Sequence, residues 1–285
     1  MRFRVYGALL GAVIVISFGS ILIKLIPAPA LVIAAYRLTL ATLLLAPFAW
    51  QRRAELRGLS RHDFLLSLLS GLFLALHFLF WISSLKYTSV ASSVVLVSTN
   101  PIFVGLGTRF ILRERLGRLL IWGIAASVVG GLLIGYNDLQ FSREEFLGDL
   151  LALAGALWAS AYFLVGRHVR QRVGLLNYIF VVYGLAAAVL LIVVLATCQP
   201  LFGYPQQAYL FLFLLALGPQ ILGHSSLNWV LKYTSAATVA VATLGEPVGS
   251  TVLAYLILGE GLTPLKVLGG LLILAGIYLA SRVEG

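Results

Sequence analysis

Glu246, Asn100, His77, His224 and Asn228 stand inside long apolar stretches of the sequence. A charged carboxylate in hydrocarbon costs ~2.5–3.5 kcal/mol on insertion scales, so Glu246 must face a cavity, hold a partner or carry a proton. Glu246 is followed by Pro247, and Asn100 by Pro101. A proline inside a helix removes a backbone donor and crowds the preceding turn, which frees carbonyls beside the polar side chain. Such a break is either a solute site or gate hinge, or a packing kink whose polar neighbour satisfies the loosened backbone. The sequence leaves both open. His77 and Trp81 are four residues apart, as are His224 and Asn228, and Trp158 and Tyr162, so each pair shares one helix face. For Trp158 and Tyr162 plain aromatic packing is the simpler reading. The chemistry open to the whole set is reversible binding of a small solute through hydrogen bonds, one carboxylate and aromatic walls.

Catalytic signatures are missing from the sequence: no Ser-His-Asp set, no HExxH, no phosphate loop and no His/Asp/Glu metal cluster. No cofactor or metal is therefore called for. A membrane-embedded enzyme is the alternative from another class, but it would need several polar groups near one interface. A small-solute channel would need polar rings along a continuous path, whereas here the polar groups are sparse and sit at mid-span. The single cysteine, Cys198, excludes an internal disulfide. The net charge of +10 is spread over short segments between apolar stretches, which argues against a nucleic-acid partner.

The elements that must position these residues are transmembrane helices. Hydrophobic residues make up 61% of the 285 positions and charged ones 11%, against about 25% charge in an average soluble protein. Apolar spans fall at 5–26, 29–50, 63–85, 89–111, 117–136, 147–166, 174–198, 207–231, 235–258 and 262–281, numbered here as spans 1 to 10. Ten helices of about 20 residues use roughly 200, which leaves no room for a sizeable soluble domain. With the N-terminus inside, Arg2, Arg4, Arg52, Arg53, Arg57, Arg61, Arg109, Arg113, Arg115, Arg118, Arg167, Arg170, Arg172, Lys232 and Arg282 are cytoplasmic. The outer set is Lys24, Lys86, Arg143 and Lys266, and Asp138, Glu144, Glu145 and Asp149 gather in the outer loop between spans 5 and 6. Both termini are expected in the cytoplasm. Span 1 is expected to be retained: Ala28-Pro29-Ala30 resembles a cleavage site, but the apolar run before it exceeds the ~7–15 residues of a signal peptide.

The chain also repeats itself. Lys86-Tyr87-Thr88-Ser89 recurs as Lys232-Tyr233-Thr234-Ser235, an offset of 146. The same offset pairs Pro101 with Pro247, Glu114 with Glu260, Leu116 with Leu262, Gly123 with Gly269 and Gly130 with Gly276. Phe18-Gly19-Ser20 and Trp158-Ala159-Ser160 make a weaker match. Spans 1–5 thus correspond to spans 6–10, and five being odd, the second copy is inverted. The expected units are 1–138 and 139–285, together one all-α polytopic membrane domain. Inverted repeats are the architecture of secondary transporters, in which two copies open a shared central site alternately to each side. Pro101 and Pro247 each lie about 12 residues into their spans, ~18 Å deep at 1.5 Å per residue and near the middle of a ~30 Å core. His77 and His224 fall on repeat-mate spans 3 and 8, which raises the case for a shared cavity. The glycine pairs are seven apart on spans 5 and 10 and allow close backbone approach, as in a scaffold or a homodimer contact.

Thr99-Asn100-Pro101, Leu244-Gly245-Glu246-Pro247-Val248, Arg113-Glu114, Gly259-Glu260, Tyr36-Arg37 and Trp158-Ala159 together resemble the drug/metabolite transporter superfamily, EamA type. The resemblance spans nearly the whole chain. It implies a multi-pass small-solute carrier of the plasma membrane, often an exporter of amino acids or related metabolites, with a central cavity lined mainly by spans 1, 3, 4, 6, 8 and 9. Arg37, eight residues into span 2, would bind an anionic solute or a neighbouring helix. Because the family carries Arg here across unlike cargoes, the neighbouring helix is favoured. Glu246, with His224 near it, is the candidate for proton coupling.

Overall fold

The computed structural model describes residues 2–88, 90–110, 117–135, 143–259 and 261–281. Ser89, Arg113, Glu114, Arg115, Leu116, Asp138, Glu260, Arg282, the far ends of spans 4 and 5 and the 138/139 junction lie outside the described residues.

All regular structure among the described residues is helical. The helices are α1 (Arg2–Leu25), α2 (Ala30–Gln51), α3 (Arg53–Arg57), α4 (Arg61–Ser84), α5 (Val90–Val97), α6 (Asn100–Phe110), α7 (Arg118–Gly135) and α8 (Arg143–Arg170). They continue as α9 (Leu175–Ala196), α10 (Gln206–Leu215), α11 (Ser225–Val230), α12 (Ala236–Thr243), α13 (Gly245–Leu253) and α14 (Pro264–Ser281). Two π-helical stretches, Ala216–His224 and Ala254–Leu258, join α10 to α11 and extend α13. Seven stretches are long and apolar enough to cross a membrane, corresponding to spans 1, 2, 3, 6, 7, 8 and 9. Spans 5 and 10 appear as the shorter apolar helices α7 and α14, and span 4 is divided between α5 and α6.

The surface is inside out relative to a soluble protein. Ile192, Trp122 and Leu256 are 64%, 67% and 69% exposed, while Arg37 is 1% exposed. An apolar exterior of this kind marks a lipid-facing surface. Within it, every backbone group needs an internal partner. Where helices begin at polar ends, side chains meet that need: Ser60 accepts from the Asp63 N–H at 3.0 Å, and Ser235 from the Thr238 N–H at 3.0 Å.

The two proline sites differ from the expected mid-helix kinks. Pro101 is the second residue of α6 and Pro247 the third of α13. In a first turn the missing N–H is one that would be unpaired anyway, so the chain restarts a helix there instead of bending one. Just before each restart a threonine hydroxyl folds back onto its own helix: Thr99 Oγ1 donates to Leu96 O and Thr243 Oγ1 to Ala240 O, each at 2.7 Å.

A second difference concerns span 6. α8 extends beyond 147–166 at both ends, so Glu144 and Glu145 sit in its first turn, not in a loop, where the helix dipole favours acids. Arg170, counted with the loop residues, is buried and donates from Nε to Asn228 O at 3.0 Å.

α4 packs on α8 and α9, α2 on α9, α1 on the first π stretch and α13, and α6 on α8 and α12. α7 and α14 lie against each other by backbone. A Cβ built on Gly130 would stand 2.5 Å from Gly269 O, and one on Gly276 2.5 Å from Gly123 O. These two contacts exchange under the 146-residue offset, and Ser127 Oγ donates to Ile273 O, its own mate at that offset, at 3.4 Å.

Side-chain bonds sort the loops into two ends. At one, Arg172 grips Asp63 at 2.6–2.8 Å, Asn177 donates to Glu55 at 3.0 Å and Arg167 to Leu231 O at 2.8 Å. At the other, Lys86 donates to Ala28 O, Thr88 to Asp149, each at 3.0 Å, and Tyr36 to Leu201 O at 2.9 Å. Among the described residues the first end carries Arg52, Arg53, Arg57, Arg61, Arg167, Arg170 and Arg172, next to these contacts in the chain.

Candidate solute cavity

Arg37 projects from the middle of α2. Its Nε donates to Gln220 Oε1 at 2.7 Å, and its guanidinium lies 4.1 Å from the centre of the Phe78 ring, a cation–π distance. The partner on a neighbouring helix, favoured from the sequence, is thus Gln220. It belongs to the π stretch beside Pro219, where widened turns often mark functional sites. Arg37 Nη1 is buried and has no hydrogen-bond partner.

α4 supplies a stack. The His77 and Trp81 rings lie 5.7 Å apart and nearly parallel, at 9°. His77 Nδ1 bonds to Gly155 O at 2.9 Å, while Trp81 Nε1 is buried with no partner. The His224 ring meets the edge of Phe78 at 5.4 Å, and its Nδ1 is also without a partner. Asn228 Nδ2 donates to Tyr162 Oη at 2.5 Å and to His224 O at 2.8 Å. Ser160 donates to the Asn100 carbonyl at 3.0 Å, leaving the Asn100 side-chain oxygen buried and unbonded.

These side chains surround one cavity. Arg37, His77, Trp81, Asn100, Tyr162, His224 and Glu246 line it, with Ser98 and Thr243 from the ends just before the two restarts. Arg37 and Glu246 both line it, and no ion pair joins them. Its volume is ≈ 40 Å³, and by this measure one water needs ~10–15 Å³. Admitting a metabolite requires its walls to separate.

Of the ten residues singled out from the sequence, His77, Trp81, Asn100, Tyr162, His224 and Glu246 line the cavity. Asn228 stands directly behind Tyr162. Pro101 and Pro247 lie beside the lining residues Asn100 and Glu246 without lining it themselves. Trp158 turns away: its ring stacks on Phe73 at 5.6 Å. On α8 the cavity side is set by Ala159, Tyr162 and Phe163, and Trp158, 100° round from Ala159, falls at the edge of that face. Sequence reasoning passed over Gln220 and Phe78. The signal for Gln220 was present, since Pro219-Gln220 again sets a polar residue against a mid-span proline.

A buried polar atom without a partner costs ~1–3 kcal/mol. Four of them, on Arg37, Trp81, Asn100 and His224, face one small space with a carboxylate opposite. That arrangement has hydrogen-bonding capacity to offer a polar solute. The model of the EamA-like transporter family matches residues 4–136 and again 146–282. The chain belongs to the EamA-like transporter family. This places it among multi-pass membrane transporters and not among enzymes. It is similar to an uncharacterized transporter of Clostridium kluyveri, 29% identical over 68% of this chain but only 64% of that relative's length. It is also similar to the uncharacterized transporter YdfC of Bacillus subtilis, 26% identical over 86% of this chain and 79% of the relative. The pseudopaline exporter CntI of Pseudomonas aeruginosa is 28% identical over 90% of this chain and 87% of its own. A solved crystal structure shares the fold with a TM-score of 0.80 at 21% identity, covering 100% of both chains.

Proposed function

We propose that this transporter is a ten-span secondary carrier, built as two inverted five-span units (1–138 and 139–285), that moves an amino acid or related metabolite outward across the plasma membrane by alternating access. The observation that carries the reading is the convergence of α2, α4, α6, α8, the first π stretch and α13 on one polar cavity drawn from both halves of the chain. The two family matches and the reciprocal glycine contacts of α7 and α14 support the inverted repeat. The restarts at Asn100 and Gly245 suit a gate, because a broken helix tilts its halves at little cost. An exporter among the relatives supports outward movement. The basic end, with both termini, faces the cytoplasm in this reading. Glu246 with His224 carries the coupling proton or the cationic group of the solute, and α7 and α14 are scaffold or homodimer contacts.

Counterflow in liposomes tests this directly. A panel of labelled amino acids and related metabolites should include one that is taken up by exchange, saturably and in a stoichiometric fashion. Uptake without saturation means a channel, and failure to move any member of the panel overturns the solute class. Labelling a single cysteine at position 57 in a Cys198-free variant tests orientation. Reaction only from the outer face overturns the topology and the inverted repeat with it.

A further inference from the structure

Two apolar grooves open on the lipid-facing surface. One, ≈ 600 Å³, lies between α4, α6 and α8, with walls that include Leu66, Phe73, Phe103, Phe110 and Leu164. The other, ≈ 320 Å³, lies between α1, α13 and α14, and its lining contains no Lys, Arg or His. The first is different at its mouth. It runs from Ser160 to His168, about 12 Å along α8, toward the basic end. His62 stands one turn beyond Leu66 on α4, and its ring lies 6.3 Å from that of His168. Both imidazoles are exposed. Arg61 adjoins His62, and Arg109 adjoins the wall residue Phe110. The Asp63 carboxylate lies 3.7 Å from His62 but is held by Arg172 at 2.6–2.8 Å, which offsets its charge.

An apolar slot ending in cations and ring N–H groups at the membrane boundary matches an amphiphile with a hydrocarbon tail and an anionic head. We propose that this groove seats one acyl chain of an anionic phospholipid from the leaflet at the basic end, with the phosphate held by His62, His168 and Arg109. The groove reaches Ser160, which donates to the carbonyl of Asn100 at the helix restart. A seated chain braces α6 against α8 on the outer side of the solute cavity. The inference stands apart from the identity and direction of the solute.

Trp158, stacked on the wall residue Phe73, is a built-in reporter. Protein in phosphatidylcholine vesicles is given equal small fractions of phosphatidylglycerol or phosphatidylcholine brominated on one acyl chain. The difference between the parent and Trp158→Phe isolates the emission of Trp158. Brominated phosphatidylglycerol should quench it at a roughly fivefold lower fraction, the size of one basic side chain's attraction to an anionic lipid. Replacing His62, His168 and Arg109 by Gln should abolish the preference, and Ala161→Phe, which fills the slot, should weaken quenching by both lipids. Equal quenching in the parent overturns the proposal. A preference that survives the Gln substitutions, or quenching that Ala161→Phe leaves undiminished, does so too, because the lipid would then be bound elsewhere.

Discussion

The centre of the molecule and the α7–α14 pair are built on opposite terms. Around the cavity, helices are interrupted at Ser98–Thr99, at Leu244 and through the π stretch of Ala216–His224, and buried polar atoms are left without partners. α7 and α14 are unbroken, and their backbones touch at Gly130 and Gly276 with no room for a side chain. Close glycine contact fixes two helices over a long face, because any relative tilt forces backbone into backbone. Interrupted helices with spare polar capacity can change their angles and find new partners. Close backbone packing and helix interruption are therefore segregated: the cavity joins interrupted segments, which carry Asn100, His224 and Glu246, to the continuous helices α2, α4 and α8, which carry Arg37, His77, Trp81 and Tyr162.

The largest effect that sharpens this contrast is expected on the rigid side. Gly130→Leu places a Cβ 2.5 Å from Gly269 O and must part the helices, costing at least ~1–3 kcal/mol. Thermal unfolding in detergent, with the yield of monodisperse protein, measures it. A variant as stable as the parent would show that the pair is not a fixed scaffold.

On the adaptable side, Glu246→Gln keeps shape and hydrogen bonding and removes the titrating proton. Stability should be nearly unchanged. Accumulation driven by a pH gradient should fall on the order of tenfold, equivalent to ~1.4 kcal/mol, while passive exchange persists. An unaltered pH profile of accumulation would end the case for proton coupling through this residue.

Pro101→Ala and Pro247→Ala test the restarts. Since each proline occupies a first turn, the fold should tolerate alanine at a cost of about 0.4–1 kcal/mol. Exchange should slow several-fold as the two half-helices fuse toward one rod. Unchanged exchange in both variants would reduce the breaks to packing features and erase the contrast with α7 and α14.

The smallest effect on exchange is expected at Ser160→Ala, which removes a hydroxyl proton shared between the Asn100 carbonyl at 3.0 Å and the Ala156 carbonyl at 2.7 Å, worth about 0.5 kcal/mol at the low end for a hydrogen bond. It loosens only the α5–α6 break. Combined with Pro101→Ala its effect on exchange should be non-additive, and combined with Pro247→Ala additive, as a double-mutant cycle would read out.

The sequence by itself determined the apolar spans, the two prolines with their polar neighbours, the separation of basic from acidic ends, and the glycines of α7 and α14. Each of these depends on transfer to hydrocarbon or on backbone restriction, and both act within a few residues of chain. It also brought together most of the cavity, because polar side chains in a membrane have few places to go but inward. Only the tertiary structure decided which side of a helix faces that interior. Trp158 and Tyr162 share a face by spacing, yet one packs outward on Phe73 and the other lines the cavity, since the border of the buried face depends on where α4 and α11 lie. The same holds for Arg37. Its burial was legible, but the choice of Gln220, 183 residues away, rests on a π stretch that no helical periodicity announces. Partners that distant in sequence meet only once the helices have packed, and so their pairing is a property of the assembled bundle.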